Sequence, residues 1–396
     1  MPGETNDVPV PAQVQAGGPS DTAHARPQNL HTPRIFIAAT RQDDGKTTTS
    51  LGLFAALQKR FPSIGYIKPV GQRFVEVEGV KIDEDSVLIN DTYRVRTPLR
   101  AMSPIAVEPD FTRKYLKHRN PEELHDQVQS AFDEAAWEKD FVIIEGTGHA
   151  GVGSVFDLSN AEVARILGAN VVIVSQGGIG RPIDEIAMNL SLFQKFGVKV
   201  IGAIINKVDP AKMDLVPYVE EGLSRLGLPL LGVIPLNQEL RKPTLHQVCQ
   251  QLKGEFLAGA EHKRRRVGKV VIGAMSSYQV DKYLEPNSLL ITSGDREDMI
   301  LTATQAYRSQ KRPNLAGIVL VDGVLPSPGV LRFICQYDLP YIACACDSYT
   351  AATRITKMTV KTEAADREKI ALIQQLVEEH VAIDKIIACG QPQRVA

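Results

Sequence analysis

An apolar, β-rich run from Arg34 to Ala39 leads through Thr40-Arg41-Gln42-Asp43-Asp44 into Gly45-Lys46-Thr47-Thr48, where a helical pattern begins. A strand, a tight loop and a helix N-terminus in that order form a cradle for phosphate. The loop's backbone N–H groups and the positive end of the helix both face an anion. In such a cradle Lys46 reaches the β and γ phosphates and the Thr47 hydroxyl sits on Mg²⁺. Thr40, Arg41, Gly45, Lys46, Thr47 and Thr48 are therefore the candidate nucleotide contacts. The loop departs from the usual G-x-x-x-x-G-K-[ST] pattern in one place, because Thr40 stands where the first glycine is expected.

Three further stretches carry polar groups at the ends of apolar runs. In Tyr66-Ile67-Lys68-Pro69-Val70-Gly71-Gln72, a lysine leaves a strand and is fixed by the proline, so its ammonium is aimed at a phosphate or carboxylate. In Phe141-Val142-Ile143-Ile144-Glu145-Gly146-Thr147-Gly148-His149, an acid closes a strand, the Walker B arrangement that holds Mg²⁺ directly or through water. Glycines there let backbone approach a ligand closely. Asn206-Lys207-Val208-Asp209 follows a later strand, in the part of the sheet where a nucleotide base would lie. Two readings of it stand side by side. Asp209 reads guanine through a paired hydrogen bond, or Asp209, before Pro210, opens a turn and Asn206 contacts adenine, the latter as a resemblance to synthetase-like P-loop proteins implies. ATP is favoured, with GTP as the alternative.

The elements that must position these groups alternate. Strands are expected at 35–39, 63–68, 141–145, 171–175, 200–206 and 230–234, with helices at 47–59, 121–136, 161–167, 183–196 and 215–226 between them. Short Val/Ile-rich strands that are apolar throughout belong to a sheet covered on both faces. The βα alternation gives an α/β class, a doubly wound and mostly parallel sheet with ligands beyond its C-terminal strand ends. A basic run, Glu261 to Arg266, is read as a solvated linker, and a second, smaller α/β unit follows. Its strands are expected at 269–274, 288–292, 316–320 and 341–345, and its helices at 298–309, 329–337 and 365–380.

Composition excludes several classes. The 396 residues carry a net charge of −1, which argues against nucleic acid or an anionic membrane as partner. No apolar run approaches the roughly 18 residues of a membrane span. Residues 1–32 are rich in Pro, Gly, Gln, Thr and Ala and are expected to be a disordered tail without a secretory start. The five cysteines (Cys249, Cys335, Cys344, Cys346, Cys389) are odd in number and gathered late in the chain. They are read as reduced thiols of a cytoplasmic protein, with Cys344-Ala345-Cys346 poorly placed for chelation or a disulfide.

Residues 34–255 resemble dethiobiotin synthetase and its P-loop relatives, which include cobyrinic acid synthases. The likeness rests on Gly45-Lys46-Thr47, Lys68-Pro69-Val70, Asp85 seventeen residues after Lys68, and Glu145-Gly146-Thr147-Gly148. It implies that Thr47, Asp85 and Glu145 surround Mg²⁺, that Lys46 and Lys68 act on the transferring phosphoryl group, and that Met102-Ser103-Pro104-Ile105-Ala106 lies near the substrate pocket. Gln72 and His149 depart from the synthetase pattern where its substrate would bind. Arg41 occupies the position of the lysine that crosses a dimer interface in MinD-like relatives, which implies a homodimer. Residues 267 to about 380 resemble the DRTGG domain, although Asp322-Gly323-Val324 stands where a Thr-Gly-Gly turn would be expected.

The order of the two units is similar to that of the N-terminal, non-catalytic half of long phosphate acetyltransferases. The expected organisation is a tail 1–32, a nucleotide-binding domain 33–258, a linker 259–267, a DRTGG-like domain 268–382 and a C-terminal tail 383–396. The expected role is sensing or regulation: nucleotide binding or slow hydrolysis, with a small-molecule effector on the second domain. Acetyl transfer from coenzyme A is not expected. The alternative is an ATP-dependent ligase acting on a small carboxylate or carbamate.

Overall fold

The computed structural model describes residues 28–309 and 315–393. Six strands form one parallel sheet: Arg34–Ala39, Ile64–Ile67, Phe141–Glu145, Asn170–Gln176, Val200–Val208 and Leu230–Pro235. From one edge the order is Leu230–Pro235, Val200–Val208, Asn170–Gln176, Arg34–Ala39, Phe141–Glu145, Ile64–Ile67. The chain starts in the middle and later fills both sides, so the strand order reverses beside Arg34–Ala39. A crevice opens at such a reversal, beyond the carboxyl ends of the strands.

Alternation along each strand covers both faces. Phe36 and Ala38, with Val142 and Ile144, pack into one core, while Ile35, Ile37 and Ala39, with Phe141 and Ile143, pack into the other. The helix Lys46–Gln58 is buried on almost every side. The sheet covers one flank and the helix Arg367–His380 covers another, so closely that a Cβ on Gly52 would stand 2.3 Å from Val377 Cβ.

The second sheet has five strands in the order Glu255–Ala258, Tyr341–Ala343, Gly317–Val321, Ser288–Ser293, Lys269–Ile272. All neighbours are parallel except the first pair. The four expected strands are present. Glu255–Ala258 was not foreseen as part of this sheet, because its edge position follows from antiparallel pairing with Tyr341–Ala343, far along the chain.

Packing moves the expected boundaries. The helix Leu245–Leu252 buries Leu245, Val248 and Leu252 in the second unit's core, so that unit begins before residue 258. Residues 259–267 are not a free linker, since Arg265 donates to Leu315 O at 3.1 Å and Arg266 bridges to Thr244. The helix Arg367–His380 packs on the first unit, placing Ile373, Leu376 and Val377 in its core. Residues 383–396 do not form a loose tail where described. Arg34 N donates to Gly390 O at 2.6 Å, and Gln393 N donates to Gly168 O at 2.8 Å.

Residues 1–27 of the expected disordered tail lie outside the described residues, but Asn29 is fastened: its N–H donates to Asp133 Oδ1 at 2.8 Å. Cys344 and Cys346 also differ from expectation. They lie just past the strand Tyr341–Ala343, where the chain bends, and their sulfurs are 3.5 Å apart.

Candidate functional site

The loop after Arg34–Ala39 is held shut by its own side chains. The Thr40 hydroxyl donates to Asp44 Oδ2 at 2.6 Å, and Arg41 N donates to the same oxygen at 2.8 Å. Thr40 thus fixes the loop entry by a hydrogen bond rather than by a glycine conformation. Gly45 has φ +106°, a region where side chains are strained, and it precedes the first helical residue, Lys46. A Cβ on Gly45 would also meet Asn206 Nδ2 at 1.9 Å.

Lys46 is buried rather than on an open surface, and its ammonium reaches across to Gly148 O at 3.4 Å. Burial lowers its basicity; Glu145 opposes that fall and Lys68 adds to it. Thr47, one residue on, donates through Oγ1 to Glu145 Oε1 at 2.9 Å. Thr48 lies half-buried in the same turn.

Glu145 ends the neighbouring strand, 1% exposed. Its other oxygen accepts from Tyr66 OH at 3.1 Å. Burial raises the Glu145 carboxyl above its ordinary range, and the negative charge of Asp85 raises it further. The following loop is clamped by Asn160, which donates to Thr147 O at 2.8 Å and His149 O at 2.7 Å. His149 itself is exposed.

Lys68 leaves the edge strand and is buried between two acids. Its ammonium pairs with Asp83 Oδ1 at 2.9 Å and makes a second, shorter ion pair with Asp85. Burial by itself would lower the Lys68 ammonium, but Asp85 and Asp83 outweigh it and hold it above the usual lysine value. Asp83 caps the helix Glu84–Tyr93 by accepting from Asp85 N at 2.9 Å, and its Oδ2 is buried with no hydrogen-bond partner. Met102 and Ser103 brace this corner: Lys68 N donates to Met102 O at 2.8 Å, and Asp83 N donates to Ser103 Oγ at 2.9 Å.

The fold therefore brings Lys46, Thr47, Lys68, Asp85 and Glu145 together from the loop, two strand ends and a helix start. Other candidates sit differently. Arg41 forms an ion pair with Glu185 of its own chain at 2.6 Å, which Arg181 shares at 2.8 Å. Both ends of the Asn206 amide are engaged: Nδ2 donates to Asp44 O and Oδ1 accepts from Lys207 N, each at 2.8 Å. Asn206 is a brace for the loop. Asp209 caps a turn, accepting from Ala211 N at 3.1 Å.

Sequence reasoning passed over Tyr66, Asp83 and Asn160 as site residues. Asp83 was readable as a helix cap from Asp83-Glu84-Asp85-Ser86. The contacts of Tyr66 and Asn160 span 79 and 13 residues and left no local signal.

The donor set of Thr47, Asp85 and Glu145 is all oxygen, as a hard divalent cation requires. Two observations agree with a cation there. Thr47 Oγ1 and Glu145 Oε1 stand 2.9 Å apart, and the negative charge of Asp85 raises the Glu145 carboxyl, a repulsion that a cation between them would relieve. Mg²⁺ fits these residues.

A parallel sheet with a Gly-Lys-Thr loop at its central strand and an acid closing the adjacent strand defines a P-loop NTPase type of domain. The chain belongs to the AAA_26 family of AAA domains, whose model matches residues 33–244, and a DRTGG domain model matches residues 247–358. The chain is 28% identical to a phosphate acetyltransferase of Pseudomonas aeruginosa over 385 residues, 92% of this chain and 53% of that protein. It is 27% identical to one of Pseudomonas putida over 379 residues, 91% and 52% of the two. The chain spans about half the length of the curated relatives it matches, consistent with the N-terminal region of long phosphate acetyltransferases. Among solved structures, the MinD cell division protein of Aquifex aeolicus aligns with a TM-score of 0.35 and 14% identity, covering 53% of this chain and 84% of that one. Among the described residues, no helix is long and apolar enough to cross a membrane.

Proposed function

We propose that this chain binds a Mg²⁺–nucleotide at the Gly45-Lys46-Thr47 loop and uses its occupancy to regulate or report through the DRTGG domain. The observation that carries this reading is the convergence of Lys46 and Thr47 on Glu145, with Lys68 held by Asp83 and Asp85 beside them. Loop N–H groups and Lys46 receive the β and γ phosphates. Thr47, Asp85 and Glu145 hold Mg²⁺, which when bound neutralises charge on the phosphate oxygens. Lys46, Lys68 and Glu145 are buried, so their charges act strongly.

ATP remains the favoured nucleotide, because Asp209 is used as a turn cap. The ligase alternative draws less support. Lys68 is engaged by two carboxylates, so an acceptor carboxylate would have to displace one of them.

Calorimetry with Mg²⁺–ATP and Mg²⁺–GTP on the wild type and Lys46→Ala tests the reading. Loss of the charged contact should weaken binding at least about tenfold. Wild-type affinity in the variant, or no binding of either nucleotide by the wild type, would overturn it.

A further inference from the structure

The segment between the helices Ser348–Lys357 and Arg367–His380 passes beside the site on its way from the second unit to the first. The Lys361 ammonium pairs with Glu84, the residue between Asp83 and Asp85. Burial pulls that ammonium down to about 8, and the charges it feels next are Arg73, Lys68, Asp83 and Asp43. Its neighbours thus come from both the phosphate loop and the carboxylate cluster.

The segment is tied firmly to the second unit. Gln247 Nε2 donates to Lys361 O and to Glu363 Oε1, each at 3.0 Å. Arg266 pairs with Asp366 at 3.3 Å. Downstream, Lys369 Nζ donates back to Lys361 O at 3.2 Å, and its helix lies against Lys46–Gln58 with Val377 over Gly52. The strap therefore touches the carboxylate corner and the helix Leu245–Leu252, and the helix it leads into lies against the phosphate loop's helix.

We infer that Lys361 is a phosphate-contacting residue of this site, delivered by the strap 358–366, and that it leaves Glu84 for the terminal phosphate of a bound nucleotide. The strap then carries occupancy to the helix Leu245–Leu252. This rests on the nucleotide reading above. Glu84 offers Lys361 only a single carboxylate at the edge of the site. A polyphosphate is the stronger partner for a cation already beside Lys68.

The test uses the full chain and Mg²⁺–ATP. Lys361→Gln should weaken binding about tenfold, Lys361→Arg should restore most of it, and Glu84→Gln should leave binding unchanged or tighter. A purely structural pair would instead make Lys361→Gln and Glu84→Gln behave alike. Hydrogen exchange of peptides covering 358–366 should slow on saturation with Mg²⁺–ATP. Wild-type binding that Lys361→Gln leaves intact, or unchanged exchange at saturation, overturns this inference and leaves the nucleotide reading standing. A wild type that binds neither Mg²⁺–ATP nor Mg²⁺–GTP overturns both.

Discussion

Glu145→Gln separates a metal ligand from a structural acid. The side chain keeps its shape and loses its charge. Glu145 accepts from Thr47 Oγ1 at 2.9 Å and from Tyr66 OH at 3.1 Å. The amide oxygen of the variant still accepts from Thr47. The new NH₂ group requires Tyr66 to turn its hydroxyl and accept, so both hydrogen bonds survive, the second with its polarity reversed. A neutral hydrogen bond contributes about 1 kcal/mol net, and removing a charge that burial already disfavours offsets part of any loss. The fold should therefore change by less than about 1 kcal/mol in metal-free urea denaturation. Metal-dependent affinity should fall far more. Loss of even an outer-shell partner of a metal ligand costs about 10–100-fold, so a drop of at least that size is expected for a ligand. The assay is nucleotide binding by calorimetry over a Mg²⁺ titration, with an EDTA arm. Nucleotide affinity in EDTA should be retained while the Mg²⁺ enhancement shrinks. An unchanged Mg²⁺ titration would remove Glu145 from the metal site. A loss of several kcal/mol of stability would show that its role is structural.

Two further predictions concern the helix Lys46–Gln58 and the helix Arg367–His380 that covers it. Gly52→Ala gains helix propensity of about 1 kcal/mol but places a Cβ 2.3 Å from Val377 Cβ, and overpacking costs about 1–3 kcal/mol. Net destabilisation in urea is expected, and a gain in stability would refute the tight contact between the two helices. Lys369 is 4% exposed, and burial lowers its ammonium to about 8. Between about pH 8 and the ordinary lysine value the unfolded chain binds the extra proton, so stability rises with pH there. Below that range the buried charge is a cost. Lys369→Met should remove this rise, seen by comparing denaturation of variant and wild type at pH 7 and pH 9.5; parallel pH profiles would sink it.

The sequence by itself determined the α/β alternation, the six strands of the first sheet, the four parallel strands of the second, and the phosphate loop. These are local signals. A strand is written in five to seven apolar residues, and Gly-Lys-Thr lies between its own strand and its own helix. The pairing of two units in order was also legible, because each carries its own pattern. Tertiary structure alone decided which charges meet. Lys68 lies seventeen residues from Asp85 in the chain and in ion-pair contact in space. Nothing local says that Tyr66 donates to Glu145 or that Asn206 is spent on bracing Asp44. Nor does the amphipathic pattern of residues 367–380 say which sheet it covers. Its apolar stripe fits any complementary surface, and the choice of the Lys46–Gln58 helix depends on the gap at Gly52, which only Val377 in place makes visible. The strap at Lys361 follows from that choice, since the chain must return past the site to reach the helix it covers.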